Sequence, residues 1–229
     1  MTPLLLCSRL CAWPLLQTQL GLPVAVRSLS SPAKSAAVAS HVDLESFKAY
    51  AAATGLSQET TVYRGTLYEY TVQTVLRRLN FLLRRCGGAD DRGIDLRGSW
   101  YLQNDADPLR VIVQCKSLNR KIGPNLVREM EGAIANESNG TLGVFASNQP
   151  YTDATNRQLL SSQRPMILCV ISTLDEGADL KQMVWNTSAS DMLGKLEVGV
   201  RHRTSNREVE TEIFLKREGK PIKELKKLP

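Results

Sequence analysis

The chain has 229 residues, 42% hydrophobic and 23% charged, a composition that excludes a disordered or collagen-like protein. Its 29 basic and 23 acidic residues leave a net charge of +6, which permits an acidic partner such as nucleic acid without requiring one. Five cysteines with no CxxC pair speak against a thiolate zinc site or a disulfide framework, and two histidines leave little material for a Ser-His-Asp triad or a multi-histidine metal centre. No run of about 18 uncharged apolar residues is present, so no membrane span is expected.

Residues 1–42 contain no Asp or Glu but carry Arg9, Arg27 and Lys34 among many Ser, Ala and Leu. That acid-poor composition predicts a mitochondrial transit peptide over residues 1–30 and a matrix location. Arg27-Ser28-Leu29-Ser30-Ser31 reads as a processing site, cut after Leu29 or Ser30. A secretory signal fits less well, because Arg9 interrupts the apolar stretch and no basic residue precedes Leu4-Leu5-Leu6. An untargeted tail is the third reading. In a matrix protein the sequons at Asn136, Asn139 and Asn186 would carry no glycan.

Residues 31–60 read as a linker and a short helix, the helix within 43–60. Apolar residues at Tyr68, Val72, Val75, Leu76 and Leu79 have helical spacing and predict a helix over 64–79. A short strand follows at 80–86, then a turn from Gly87 to Gly93. Ile94–Trp100 and Arg110–Lys116 read as a hairpin turning near Asp105–Ala106. The second strand alternates, with Val111, Val113 and Cys115 on one face and Ile112, Gln114 and Lys116 on the other. Gly123-Pro124-Asn125 opens a helix to about Glu137. A strand is expected at 141–147, a helix at 152–162 capped by Thr152 or Asp153, and a fully apolar strand at 165–172. This alternation implies parallel pairing through crossover helices, and so a mixed sheet with helices on both faces. Residues 173–195 are ambiguous. Leu196–Val200 and Val209–Leu215 form a candidate hairpin. The end of the chain, with six basic and two acidic residues from Lys216 to Lys227, reads as a solvated basic tail over 216–229.

A symmetric hairpin register pairs residues whose numbers sum to about 211. Asp95 then lies opposite Lys116, and Arg97 opposite Gln114. A carboxylate, an amide oxygen and a main-chain carbonyl would gather at one end of two strands. Such hard oxygens suit Mg²⁺ or Mn²⁺, and a lysine beside them can serve an attacking water. Glu69, on the preceding helix, could add a second carboxylate. A plain Asp95–Lys116 cross-strand ion pair is the competing reading, although Gln114 inside the apolar run VIVQCK calls for partners that a salt bridge does not supply.

The ordered residues Gly65-x-x-Tyr68-Glu69, Asp91-x-Gly93-Ile94-Asp95 and Val113-Gln114-Cys115-Lys116 resemble the Mrr-like branch of the PD-(D/E)XK nucleases. Gly143-Val144-Phe145-Ala146-Ser147 and Tyr151-x-x-Ala154 resemble that branch's next strand and helix. The match spans roughly residues 62–172. Together with the transit peptide, it resembles the fungal mitochondrial required-for-respiratory-growth family, member seven. The resemblance implies an α/β, restriction-endonuclease-like mixed central sheet flanked by helices, with the nuclease-like core at 61–175 and a C-terminal extension of the same domain at 176–215. It implies a metal-dependent endonuclease acting on DNA. Asp95, Gln114, Lys116 and Glu69 would be the catalytic residues. Asp95, Gln114, Cys115, Glu69 and Asp91 would be the metal-binding set, and Mg²⁺ or Mn²⁺ the cofactor. Gln114 departs from the acidic residue of the broad superfamily, as in this branch. Arg120, Lys121 and Arg128 are candidates for phosphate contact. A homodimer is compatible with the resemblance. The alternative is a catalytically inactive nuclease fold that binds nucleic acid or assists assembly in mitochondrial gene expression.

Overall fold

The computed structural model describes residues 41–86, 93–102, 107–205 and 208–225, all within the second of the two units into which the chain divides, Val38–Pro229. The transit-peptide reading of residues 1–30, Asp91, and the expected turn at Asp105–Ala106 lie outside the described residues.

Helix α1 (Leu44–Thr54) starts at Asp43, whose carboxylate accepts from the Ser46 amide at 2.8 Å while the Ser46 hydroxyl accepts from the Asp43 amide at 3.0 Å. Gly55, at φ 68°, ends it. Helix α2 (Thr61–Arg77) is capped by the Thr60 hydroxyl. Tyr68, Val72, Val75 and Leu76 are buried on it, as their spacing predicts. Three antiparallel strands follow: β1 (Phe81–Arg85), β2 (Leu96–Trp100) and β3 (Leu109–Lys116). Helix α3 (Asn125–Ala135) carries the chain to β4 (Thr141–Ser147), parallel to β3, and α4 (Asp153–Ser161) carries it to β5 (Met166–Ile171), parallel to β4. The Thr152 hydroxyl caps α4.

Within the ambiguous stretch lie a 3₁₀ turn (Leu174–Glu176), strand β6 (Leu180–Trp185), antiparallel to β5, and helix α5 (Thr187–Leu193). The main sheet therefore has the order β1-β2-β3-β4-β5-β6. It is a mixed sheet flanked by helices. One face carries α2 and α5, with Val72, Leu76, Val113, Val144, Ala189 and Leu193 in its core. The other carries α3 and α4, with Ile112, Met130, Ile134, Phe145 and Leu159 buried between them. Burying each such side chain fully stabilises the fold by about 1.5–3 kcal/mol. Phe47, Ala51, Tyr63 and Tyr70 bind α1 to α2.

The terminal hairpin is longer than its alternation predicts. Strands β7 (Leu196–Ser205) and β8 (Glu208–Arg217) pair antiparallel, and β9 (Lys220–Pro221) joins β8. The expectation of a solvated tail from Lys216 is corrected at the level of the backbone. Asn80 donates to the Lys223 carbonyl at 3.0 Å and accepts from the Leu225 amide at 2.8 Å. The side chains of Lys220, Lys223 and Glu224 remain exposed.

Candidate metal and phosphate site

The hairpin register differs from the symmetric expectation. Leu96 pairs with Val113 and Arg97 with Ile112, so partner numbers sum to 209 rather than 211. The observed pairing is thus offset from the expected one by two positions. A shift of two preserves the sheet face. Asp95 is not opposite Lys116, and Arg97 is not opposite Gln114.

Strand β3 runs three residues past the last paired residue of β2. Gln114, Cys115 and Lys116 have β4 on one side, against Phe145, Ala146 and Ser147. On the other side Asp95 takes over from the ladder. Its amide donates to the Val113 carbonyl at 2.9 Å, and its Oδ2 accepts from the Cys115 amide at 2.6 Å. The carboxylate is thus fixed against the Cys115 peptide. A strand residue's N–H and C=O share an edge, so the Cys115 carbonyl also faces this side. Gly93 turns the chain into Ile94-Asp95 at φ 78°, and a Cβ there would stand 3.0 Å from the Gln114 side-chain nitrogen. Glycine serves both the left-handed backbone and the close approach of the amide. Gln114 is buried on the α3–α4 side of the sheet, and Lys116 is half-buried at the strand end.

Burial pushes the Cys115 thiol well up, the Asp95 and then the Glu69 carboxylates push it further, and Lys116 opposes them. Cys115 is therefore a neutral core thiol rather than a nucleophile. Cys169 is likewise buried, with its thiol raised by desolvation.

Asp95, Gln114, Cys115 and Lys116 are brought together at one strand end. Glu69 stands at the flank, its carboxylate ion-paired with the Arg85 guanidinium on β1. Arg85 was not singled out from the sequence. The signal was the pair Arg84-Arg85, since on a strand one of two neighbours must face the α2 side, where Glu69 is. The ion pairs formed among the described residues do not include Asp95–Lys116. Nor, among the described residues, do three His, Cys, Asp or Glu side chains converge as a metal cage.

Arg120, Lys121 and Arg128 are exposed on the segment leaving Lys116 and on the first turn of α3. The backbone of this segment is held in place. Leu118 donates to the Asn148 side chain at 2.8 Å, Ile122 to the Pro150 carbonyl at 3.1 Å, and Thr152 to the Ile122 carbonyl at 3.0 Å. Two tyrosines of the sequence motifs are structural. The Tyr68 hydroxyl donates to the Ile171 carbonyl at 3.0 Å, pinning α2 to the end of β5, and the buried Tyr151 hydroxyl lies 2.8 Å from the Cys169 carbonyl.

The model of the family described as Required for respiratory growth protein 7 matches residues 60–106 and 101–198, more than half of the chain. The chain belongs to that family. A curated Required for respiratory growth protein 7, mitochondrial, from Saccharomyces cerevisiae is 26% identical over 179 residues, covering 58% of this chain and 74% of its own length. An uncharacterized mitochondrial protein of Schizosaccharomyces pombe is 38% identical over 159 residues, covering 69% of this chain and 64% of its own. The chain thus spans under two thirds of the length of that fission-yeast relative. Among solved structures, MspJI restriction endonuclease in complex with a 27-mer oligonucleotide matches 52% of this chain and 29% of its own, at 18% identity and a TM-score of 0.32. A likeness of that size carries no argument about this Required for respiratory growth protein 7 family member. No helix among its described residues is long and apolar enough to cross a membrane.

Proposed function

We propose that this chain is a mitochondrial protein needed for respiratory growth that hydrolyses phosphodiester bonds in DNA, in the matrix, as part of mitochondrial genome maintenance. The observation that carries the reading is the strand end where Asp95, Gln114, the Cys115 carbonyl and Lys116 meet beyond the edge of β2. The names of the family and of its relatives support the respiratory and mitochondrial parts.

The donors fit a small hard cation. One carboxylate, one amide and one main-chain carbonyl are what Mg²⁺ or Mn²⁺ takes while keeping several waters, and no cage of three acids is required for that mode. Bound there, the cation would supply Lewis-acid activation of the scissile phosphate. Asp95 is already oriented by the Cys115 amide, and the Gln114 amide packs closely over Gly93. The Lys116 ammonium holds the attacking water and balances charge on the phosphate. Arg120, Lys121 and Arg128 hold the flanking backbone of the DNA without reading its sequence. Glu69, paired with Arg85, contributes through the field at the strand end.

That ion pair also favours a second reading, a catalytically inactive nuclease fold that binds nucleic acid in mitochondrial gene expression, because it gives the Glu69 carboxylate a structural partner. One experiment separates the two. Supercoiled, linear, single-stranded and branched DNA are incubated with Mg²⁺, Mn²⁺ or EDTA and with wild-type or Lys116→Ala protein. Cation-dependent cutting by wild type alone supports the nuclease. Binding without cutting of any substrate supports the second reading, and cutting in EDTA that survives Lys116→Ala removes the site assignment.

A further inference from the structure

We infer that a cleft beside the strand end, built partly by α1, holds one unpaired nucleotide of the substrate strand, so that the chain engages single-stranded rather than fully paired nucleic acid. The inference rests on the hydrolase reading above. The cleft has a volume of about 400 Å³. Its lining includes Leu67 and Tyr68 of α2, the cations Lys48 of α1 and Arg64 of α2, and Ser117 and Thr173, which follow β3 and β5. The carboxyl ends of parallel strands are where open α/β sheets take ligands, and Ser117 is the residue after Lys116. The cleft therefore adjoins the end of β3 that carries the candidate site.

The charge and the size of the cleft select the occupant. Lys48 and Arg64 are exposed cations, against Asp175 as the acid of the lining. Arg64 is in none of the ion pairs formed among the described residues. Lys48 meets Glu45 at 3.5 Å, a carboxylate that is 83% exposed, and such a pair yields readily to a phosphate. A cleft of about 400 Å³ has no room for a base pair with its two backbones, so a paired base cannot enter it. A single nucleotide can, with its phosphate on Lys48 and Arg64 and its base against the half-buried Leu67, a combination of cations and apolar surface that single strands use. Two contacts hold the helices that line the cleft. The Tyr68 hydroxyl ties α2 to the Ile171 carbonyl, and the Tyr63–Phe47 contact locks α1 to α2. Within the cleft, Lys48 is contributed by α1, which precedes the core expected at 61–175.

The test is fluorescence anisotropy with the full chain in EDTA, using a labelled single-stranded oligonucleotide, the blunt duplex of the same sequence, and a nucleoside monophosphate as competitor. Single strands are expected to bind at least about tenfold more tightly than the duplex. Lys48→Ala/Arg64→Ala should weaken single-strand binding by about tenfold and lower the salt slope by about 1.4, two phosphate contacts at roughly 0.7 each. A control pair at exposed sites away from the cleft, Lys195→Ala/Lys220→Ala, should change binding less than about twofold. Melting curves verify that both double variants are folded. Equal loss in the two double variants, duplex binding as tight as single-strand binding, or a monophosphate that competes as well as the oligonucleotide would each overturn the inference. If cation-dependent cutting persists unchanged in Lys48→Ala/Arg64→Ala, the cleft assignment fails while the hydrolase reading stands. If no nucleic acid is bound or cut under any condition, both fail.

Discussion

Removing the Asp95 side chain should cost stability as well as chemistry, and the two losses can be separated. Its Oδ2 accepts from the amide of Cys115, a residue 8% exposed, so in Asp95→Ala that donor has neither a protein partner nor ready access to water. A hydrogen bond to an ionised acceptor contributes about 1.5–3 kcal/mol. For a fold of this size each kcal/mol shifts the melting temperature by about 2–4 °C, so Asp95→Ala is expected to melt about 3–12 °C below wild type. Asp95→Asn keeps an acceptor oxygen in the same place and loses only the charge assistance. A drop of about 1 kcal/mol is expected, with cation-dependent cutting abolished. Calorimetric melting of the three proteins, alongside the cleavage assay, measures both effects. If Asp95→Ala melts with wild type, or if Asp95→Asn is the less stable of the two variants, the carboxylate is not holding the end of β3.

Asn186 accepts from the Met166 and Ala189 amides and donates to the Ser162 and Arg164 carbonyls while 1% exposed; Asn186→Ala should therefore lose about 3–4 kcal/mol in urea unfolding, whereas Asn139→Ala, at an exposed turn, should lose under about 0.5, and similar midpoints for the two would count against this. Gly93→Ala combines a left-handed backbone, worth about 1–2 kcal/mol, with a Cβ pressed against the Gln114 amide; a lowered melting temperature together with weakened Mn²⁺ binding is expected, and an unchanged affinity would separate Gln114 from the cation. Burial, and then Arg85, hold His41 below its ordinary 6.5, so the unfolded state takes up the proton first. This contribution to stability is complete above about pH 6.5 and is lost as pH falls through the lowered folded value; His41→Gln should flatten the dependence of melting temperature on pH between about 7.5 and 5, and an unaltered slope would assign it to other groups.

The elements that sequence patterning recovered are those with undisturbed periods. The stripe on α2, the alternation of β3 and the apolar run of β5 each report one environment along their whole length. Strand β6 was missed for a physical reason. A register shift between Val170 and Ile171 breaks its pairing, and its buried residues Leu180 and Met183 stand three apart, a spacing that looks helical. The C-terminal segment misled because its side chains are charged and exposed, while its backbone is tied down by Asn80, a residue more than 140 positions earlier. At the candidate site, the alternation of β3 placed Gln114 and Lys116 on one face. The way Asp95 leaves the ladder to bond the Cys115 amide through its side chain is an irregularity that no periodicity encodes. The Arg85–Glu69 pair depends on how α2 lies across β1, which local sequence does not specify.

The bond from the Cys115 amide to the Asp95 carboxylate also bears on how descent should be read in this family. On the proposed hydrolase reading, a lineage that gave up the reaction would still be under selection to keep an acceptor at this position, because it satisfies the Cys115 amide. An aspartate there, in any relative, is evidence of shared architecture. Lys116 has no such second duty among the described ion pairs, so its retention or replacement from one relative to the next is the better record of whether the chemistry was kept.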